Sequence, residues 1–432
     1  MKNARFLAVE LLNKTFTNSG YSNIQLGAGL EKSALDERDK RLCSVIYYGV
    51  IERKITLDYI ISNLSNRNPE KLDITVLNIL RTGLYQILYM DSIPDNASVN
   101  ESVNLAKEFH KKSASGFVNA ILRNFIRQDK GYPVPLDILM FSSVKYSAPS
   151  ELIESLICDY GMEKMNILLS DALEVPPVTV RMNTLKENSE EVMKKLNAEK
   201  SDLISDCYNL KCGDLTSLSE FKDGYFHVQD LSSQLCCMAL NPDENDIVLD
   251  LCSAPGGKAF TLAQLMNNKG KIYAFDLHKK RVDLIKKGAE RLGISNITAM
   301  TGDACKFNES LPKFSKILCD VPCSGIGVIR RKPEIKYKNF ADFDNLPDIQ
   351  YKILENALNY LETDGELVYS TCTLRKAEND NVIDRLLENH NNIEGIPFLE
   401  KLGNPFGDYK ASVFPNYFKS DGFFISKIRK VR

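Results

Sequence analysis

"LDLCSAPGGKAFTLAQL", residues 249–265, decides how the C-terminal half of this chain is read. An apolar run closes on an acid, Asp250, two glycines follow at Gly256 and Gly257, and an apolar segment with helical spacing comes next. That order predicts a strand, a tight turn and a helix. Glycines let a ligand approach the main chain, and a helix N-terminus beside Lys258 favours a carboxylate or a phosphate. The turn matches neither the G-x-G-x-x-G dinucleotide fingerprint nor the longer phosphate loop ending in G-K-[ST], which counts against both nucleotide readings.

Outward from this turn, strand-like and helical runs alternate. "DIVLDLC", "KIYAFDL", "ITAMTGD", "SKILCDVP" and "GELVYSTC" read as strands, and "KAFTLAQLM", "KKRVDLIKKGAERLG" and "IQYKILENALNYL" as helices. The alternation predicts a Rossmann-like α/β domain over 236–432, a doubly wound parallel sheet that binds its ligand at the carboxyl ends of the strands. Three more acids stand at successive strand ends: Asp276, Asp303 and Asp320. One such Asp is ordinary turn chemistry, but four in register mark a site. An acid after the second strand can hold two ribose hydroxyls and one after the third can meet an exocyclic amine, so Asp276 and Asp303 suit an adenosine cofactor.

Two thiols also stand just after strands, Cys323 in "DVPCSGIG" (320–327), behind the strand that ends on Asp320, and Cys372 in "GELVYSTCT" (365–373), behind a further one. A cysteine is usually an apolar filler, and Cys43, Cys158, Cys236 and Cys319 are read that way. Cys323 and Cys372 lie instead on the ligand side of the sheet, where a polar or cationic setting can bring a thiol into its reactive range, and two of them beside an adenosine site suggest covalent catalysis. The eleven cysteines show no repeated C-x-x-C pair, and the chain has only four histidines, so neither a metal site nor a disulfide framework is expected.

The N-terminal third reads as helices. Ala4, Leu7, Ala8, Leu11 and Leu12 share one face, Val76, Ile79, Leu80, Leu84, Ile87 and Leu88 another, and Val118, Ile121, Leu122 and Phe125 a third. Ser98 and Glu101 have capping-box spacing, which predicts a helix starting at Ser98. "DKGYPVP" (129–135) breaks the periodicity and is read as a linker. The expected domains are an all-α one over 1–130, a small α+β linker module over 146–235 and the α/β domain over 236–432.

At 432 residues and 44 % hydrophobic the chain can bury two or three cores. Its net charge of −2 excludes a protein that coats nucleic acid through a dense cationic surface. Residues 1–145 carry 19 basic against 15 acidic side chains, so the positive excess lies in the N-terminal third. The opening residues lack a secretion signal, and the most apolar run, "ITVLNILRTGLYQILYM", is broken by Asn78, Arg81 and Gln86, so a cytoplasmic protein without a membrane partner is expected.

"DLCSAPGGK", "DVPCSGIG" and "YSTCT" together resemble the RNA cytosine-5 methyltransferases that use S-adenosylmethionine. "ERDKRLCSVIYYGVIER", "ILRTGLYQILYMDSIPDNASVNESVNLAK" and "GFVNAILRN" are similar to the antitermination factor NusB. Together with "FHVQDLSSQL" (226–235), they place the chain nearest the branch of the methyltransferase family that acts on small-subunit (16S) ribosomal RNA in bacteria. The resemblance implies Cys372 as the attacking thiolate, Cys323 as the group for product release and Asp320 at the N3/N4 edge of the cytosine. It implies a cofactor site formed by Cys252, Ser253, Ala254, Pro255, Gly256, Gly257, Lys258, Asp276, Arg281, Asp303 and Asp320, with Lys258 neutralising the cofactor carboxylate. A monomer is expected. Three points stay open on the sequence. Arg330, Arg331, Lys332 and Lys336 in "GVIRRKPEIKYK" (327–338) either contact target phosphates or form a solvated charge run. The NusB-like helices bind either RNA or protein. With no tryptophan, base stacking falls to Tyr, Phe or Arg. The rival readings are an RNA-binding assembly factor whose methyltransferase domain is only a scaffold, and a DNA cytosine-5 methyltransferase, which would use the Pro-Cys thiol as nucleophile.

Overall fold

Apolar stripes in the N-terminal third bury one another in a helical bundle in the computed structural model, which describes residues 3–18, 22–211, 213 and 215–432. The helices there are α1 (Ala4–Asn18), α2 (Ser22–Glu31), α3 (Glu37–Glu52), α4 (Lys54–Ser65), α5 (Ile74–Tyr89), α6 (Asp95–Glu108), α7 (Ser115–Arg127), α8 (Ile138–Tyr146) and α9 (Ser150–Asp171). Leu12, Ile46, Leu80, Leu84, Val118, Leu122 and Phe125 are fully buried in one cluster. Asp73 caps α5 by accepting the N–H groups of Thr75 and Val76, and Asp36 caps α3 through Asp39. The helix expected to start at Ser98 starts three residues earlier, at Asp95, with Pro94 as its extended N-cap. Asp95 in the first turn complements the helix dipole, and Ser98 lies buried inside the helix.

The "DKGYPVP" break separates α7 from α8, but the chain beyond it stays with the bundle. Thr56 on α4 donates its hydroxyl to the Val144 carbonyl (2.6 Å), and the Ser147 hydroxyl accepts the Ile55 N–H (2.9 Å). The first compact unit accordingly comprises Met1–Leu173 together with Arg331–Lys338, and the second Glu174–Arg330 with Asn339–Arg432. The stretch expected as one α+β module over 146–235 is therefore shared between the units.

The second unit opens with an antiparallel sheet of order β2-β3-β1-β4, made of β1 (Val178–Met182), β2 (Glu199–Lys200), β3 (Cys207–Leu210) and β4 (Phe226–Val228), with short helices α10 (Ser189–Lys195) and α11 (Ser219–Lys222) in its connections. Helix α12 (Leu231–Leu240) leads into β5 (Ile247–Asp250), α13 (Gly257–Leu265), β6 (Lys271–Asp276), α14 (Lys279–Leu292), β7 (Ile297–Thr301), β8 (Phe314–Asp320), α15 (Leu346–Tyr360), β9 (Leu361–Thr371), α16 (Asp380–Asn389), β10 (Ile393–Gly395), β11 (Lys410–Val413), α17 (Pro415–Phe418) and β12 (Phe423–Lys430). Buried Arg181 on β1 ties the small sheet to this region, donating to Gln264 on α13 (2.9 Å), Gln234 on α12 (3.3 Å) and Asp206 (3.1 Å).

The large sheet runs β10-β12-β9-β8-β5-β6-β7, with β11 beside β12. Strands β7, β6, β5, β8 and β9 are parallel, as the alternation predicts, and β12 pairs antiparallel with β9 at the end of the parallel set. The chain winds from β5 outward through β6 and β7, then restarts on the other flank of β5 with β8. This reversal is the crevice where open α/β sheets bind ligands. Glu366 fixes register across β8, β9 and β12, facing Lys316 (2.6 Å), Lys427 (2.9 Å) and Arg429 (3.2 Å). Burial alone would raise its carboxyl, but the cations hold it down to about 2. A one-residue slip would turn every side chain of a strand to the other face, and with them the residues at the strand ends.

Candidate active site

The turn after β5 is built as its glycines require. Gly256 has φ +109°, a left-handed value open to glycine, and a Cβ there would lie 2.5 Å from the Phe260 ring. Its N–H donates to the Ser253 carbonyl (2.8 Å), while the Ser253 N–H donates to Phe275 on β6 (2.7 Å). Arg281 donates to the Ala254 carbonyl (2.7 Å) and pairs with Asp276 (3.1 Å), so its guanidinium bridges the turn and the end of β6. Asp276 also accepts the His278 N–H (3.0 Å), and its carbonyl accepts the N–H of Gly302 (3.1 Å), next to Asp303. Asp303 lies two residues beyond β7, where it accepts the Cys305 N–H (3.0 Å) and faces Lys306 (3.5 Å).

Cys252, Ser253, Ala254, Pro255, Gly256, Gly257, Asp276, Arg281 and Asp303 thus come together on the β5-β6-β7 side of the crevice. Among the described residues, both carboxylate oxygens of Asp250 and the Ser253 hydroxyl are buried there without a hydrogen bond of full geometry, with Ser253 and the Cys252 N–H close enough to favour the ionised carboxylate. Burial pushes the Asp250 carboxyl up to about 7. Buried polar atoms without partners are rare and costly, and this set fits a ligand bearing an ammonium group and hydroxyls, as S-adenosylmethionine does.

Lys258, in the first turn of α13, does not stand free for a cofactor carboxylate. Its ammonium donates to Asp320 at the end of β8 (2.7 Å) and lies over the Phe423 ring. Burial works against that charge, but the Asp320 carboxylate outweighs it and holds the lysine above its ordinary range. The other oxygen of Asp320 accepts from Ser370 on β9 (2.8 Å). Strands β8 and β9 pair with Asp320 opposite Ser370, so the turns that follow these two residues start side by side. Each carries one thiol, and the sulfur atoms of Cys323 and Cys372 lie 3.3 Å apart. That contact, and burial after it, raises the Cys323 thiol well above its usual range. Cys252 and Cys319 are also pushed up, by burial. Of the cysteines expected to be fillers, Cys43, Cys236 and Cys319 are buried, whereas Cys158 is exposed.

The two thiol turns are fastened to each other. Gly327 N–H donates to the Cys372 carbonyl (3.0 Å), Gly422 N–H donates to the Gly327 carbonyl (2.9 Å), and the Ser324 and Thr373 hydroxyls meet at 2.8 Å. A Cβ on Gly327 would fall 1.9 Å from the Gly422 carbonyl oxygen, so only glycine fits. Glu378, fully buried, accepts the Ser324 N–H (2.8 Å), Gln350 (3.1 Å) and Arg375 (3.1 Å). Ser370, Glu378, Gln350 and Gly422 do not stand out in the sequence as site residues. Ser370 and Glu378 lie close to Cys372 in sequence, two residues before it and six after, but only the fold turns them onto the site; Gln350 and Gly422 come from farther along the chain.

The basic run after Cys323 is not a free cationic stripe. Arg330 is buried and donates to Asp421 (3.3 Å) and the Ser420 carbonyl (3.2 Å), and Lys336 is buried in the first unit. Their charges are used inside the protein, so Arg330 and Lys336 fit neither of the two alternatives, target-phosphate contact or a solvated charge run. Among the described residues, no group of three or more His, Cys, Asp or Glu side chains could hold a metal ion, and no helix is long and apolar enough to cross a membrane.

Comparison with known proteins identifies the family. Residues 237–429 match the family model of the 16S rRNA methyltransferase RsmB/F, and residues 2–127 match the NusB family. A probable ribosomal RNA small subunit methyltransferase B of Bacillus subtilis is 38 % identical over 440 residues, covering 99 % of this chain and 98 % of the relative. A protein of the same description from Synechocystis is 32 % identical, with both chains covered in full. The crystal structure of PH0851 has the same fold over 99 % of each chain, at a TM-score of 0.83 and 24 % identity. With parallel strands that bring "DLCSAPGGK", "DVPCSGIG" and "YSTCT" to one crevice, a NusB-family region before them and relatives alike from end to end, the chain belongs to the RsmB/F family of small-subunit ribosomal RNA methyltransferases.

Proposed function

We propose that this protein methylates C5 of a cytosine in 16S ribosomal RNA, in the cytoplasm, with S-adenosylmethionine as donor and through a covalent adduct. The observation that carries the reading is the pair of sulfur atoms 3.3 Å apart on turns that begin at the hydrogen-bonded Asp320 and Ser370. Cytosine C5 is a weak nucleophile until a thiolate adds to C6 and converts the ring to an enamine. Cys372 is assigned that attack and Cys323 the release that follows. Addition at C6 drives electron density onto the N3 side of the ring, where the Lys258 ammonium offsets it, while the paired Asp320 carboxylate accepts from the N4 amino group and so holds the N3/N4 edge.

Asp276 and Asp303 are assigned the cofactor's adenosine, Ser253 and the Gly256–Gly257 turn its amino-acid end, and Arg281 the bracing of that turn. When bound, the cofactor supplies an electrophilic methyl group on sulfonium. The NusB-like helices are assigned to the RNA.

Bisulfite sequencing of ribosomal RNA from cells with and without the gene tests the reaction. One protected cytosine in the small-subunit RNA disappears with the gene; an unchanged pattern sinks the reading. The cofactor is tested separately. By calorimetry Asp276→Ala weakens S-adenosylhomocysteine binding about 10-fold or more, the loss of one charge-assisted contact. Equal affinity for NAD, or no binding of S-adenosylhomocysteine by the unsubstituted protein, overturns the assignment.

A further inference from the structure

Two consecutive side chains just before α16, Glu378 and Asn379, are both fully buried. Both are polar, and a polar side chain cut off from water costs stability unless its hydrogen bonds are made. Here the bonds go to the two thiol turns, one turn to each residue. The Glu378 carboxylate accepts the N–H of Ser324 (2.8 Å), directly after Cys323. It also accepts from Gln350 (3.1 Å), whose amide donates in addition to the carbonyl of Pro322 (3.0 Å), directly before Cys323. Asn379 treats the other thiol in the same way. Its side-chain carbonyl accepts the Thr371 hydroxyl (2.6 Å) and its amide donates to the Thr373 carbonyl (3.0 Å), so it holds the residues on either side of Cys372.

The pair is itself anchored. The N–H groups of Glu378 and Asn379 donate to the carbonyls of Arg375 (3.0 Å) and Lys376 (3.1 Å), which closes a short helical turn. The Tyr369 hydroxyl on β9 donates to the Glu378 main-chain carbonyl (2.5 Å), and the Arg375 guanidinium pairs with the Glu378 carboxylate (3.1 Å). All of these residues belong to the second unit.

We propose that Gln350, Glu378 and Asn379 form a clamp that places the two thiols separately, Glu378 with Gln350 setting Cys323 for release and Asn379 setting Cys372 for addition to the cytosine; this deepens the function proposed above and rests on it. All three act through the residues that flank a thiol, and they are positioning residues. Because the two grips start from neighbouring positions on one hydrogen-bonded turn, they also fix the 3.3 Å separation of the sulfur atoms. A displacement of about 1 Å at reacting groups can cost roughly 100-fold in rate.

Full-length variants loosen one grip at a time. Gln350→Met and Glu378→Ala free the Cys323 turn, and Asn379→Asp and Asn379→Ala free the Cys372 turn. Gln350→Met and Asn379→Asp nearly keep the size of the side chain, so they decide the result where an alanine variant fails to fold. In Asn379→Asp the acceptor for Thr371 remains, but a carboxylate oxygen meets the Thr373 carbonyl. Each variant is assayed for kcat on ribosomal RNA, for the fraction of protein held covalently on RNA in denaturing electrophoresis, for S-adenosylhomocysteine affinity, and for hydrogen exchange over residues 322–325 and 371–374. The expected result in all of them is a kcat lowered about 10-fold or more, with cofactor affinity unchanged within about twofold. The covalent fraction separates the two sets. It rises in the Gln350 and Glu378 variants, where addition outpaces release, and falls in the Asn379 variants, where addition itself is slowed. Exchange quickens at 322–325 in the first set and at 371–374 in the second. A general loss of structure would not give opposite signs. A covalent fraction that moves the same way in both sets, or an unchanged kcat in Gln350→Met and Asn379→Asp, overturns the clamp. Since exchange needs no RNA, turn-specific exchange together with an absence of cytosine methylation by the unsubstituted protein would reject the proposed function and leave the clamp standing.

Discussion

Cys372→Ala abolishes methyl transfer and, with it, every covalent complex with RNA. If the Cys372 thiolate opens the reaction by adding to C6, its removal leaves C5 an unactivated ring carbon, and neither the cofactor turn nor Asp320 can substitute for the missing bond. The expected fall in turnover is about 10⁴-fold or more, the scale on which enzymes lose rate when a nucleophile acting together with its partners is removed. Labelled methyl incorporation into ribosomal RNA reads the first effect and denaturing electrophoresis the second. S-adenosylhomocysteine affinity stays unchanged, since no cofactor contact is assigned to Cys372, and this separates lost chemistry from lost folding. A covalent complex that survives in Cys372→Ala would move the nucleophile to Cys323, as in the DNA-type reading. Full activity would leave Cys372 a half-buried filler with no part in the reaction.

The parallel core of the large sheet was legible because each of its strands is short, apolar and closed by an acid or a thiol, and because the helices between them show helical spacing. That local pattern is enough to put Asp276, Asp303 and Asp320 at strand ends, and the topology then fixes which of them neighbour one another. The helix starts were less legible. At α6 the Ser98 and Glu101 spacing imitates a capping box, yet Pro94 and Asp95 start the helix one turn earlier, because a preset proline φ followed by a first-turn acid is a stronger local signal.

What sequence did not disclose is contact between distant positions. Lys258 reads as an anion-binding lysine at a helix N-terminus, and only the pairing of β5 with β8 shows that it meets Asp320, 62 residues away. Arg330 and Lys336 read as a cationic run, but their partners Asp421, Glu52 and Tyr146 lie 91 residues later and 284 and 190 residues earlier. Local charge patterns report which residues can bind an anion. The fold decides which of them are already committed.

The second thiol gives the opposite result to the first. In Cys323→Ala a covalent protein–RNA complex accumulates and persists through denaturing electrophoresis, while turnover falls. Addition of Cys372 to C6 and methylation at C5 do not call on Cys323. After them the C5 proton must leave, its bonding electrons must restore the C5–C6 double bond, and the C6–S bond must break to return the Cys372 thiolate. Cys323, its sulfur 3.3 Å from the attacking one, is placed to take that proton when it is present as the thiolate, which becomes the thiol. Without it the intermediate waits on water, and the bound fraction seen on the gel rises from trace to most of the enzyme. The double variant Cys323→Ala, Cys372→Ala forms no complex, which fixes the bond to Cys372. Turnover by Cys323→Ala at the unsubstituted rate with no trapped complex would remove Cys323 from the reaction and leave its place beside Cys372 a consequence of two glycine-tied turns meeting at the end of neighbouring strands.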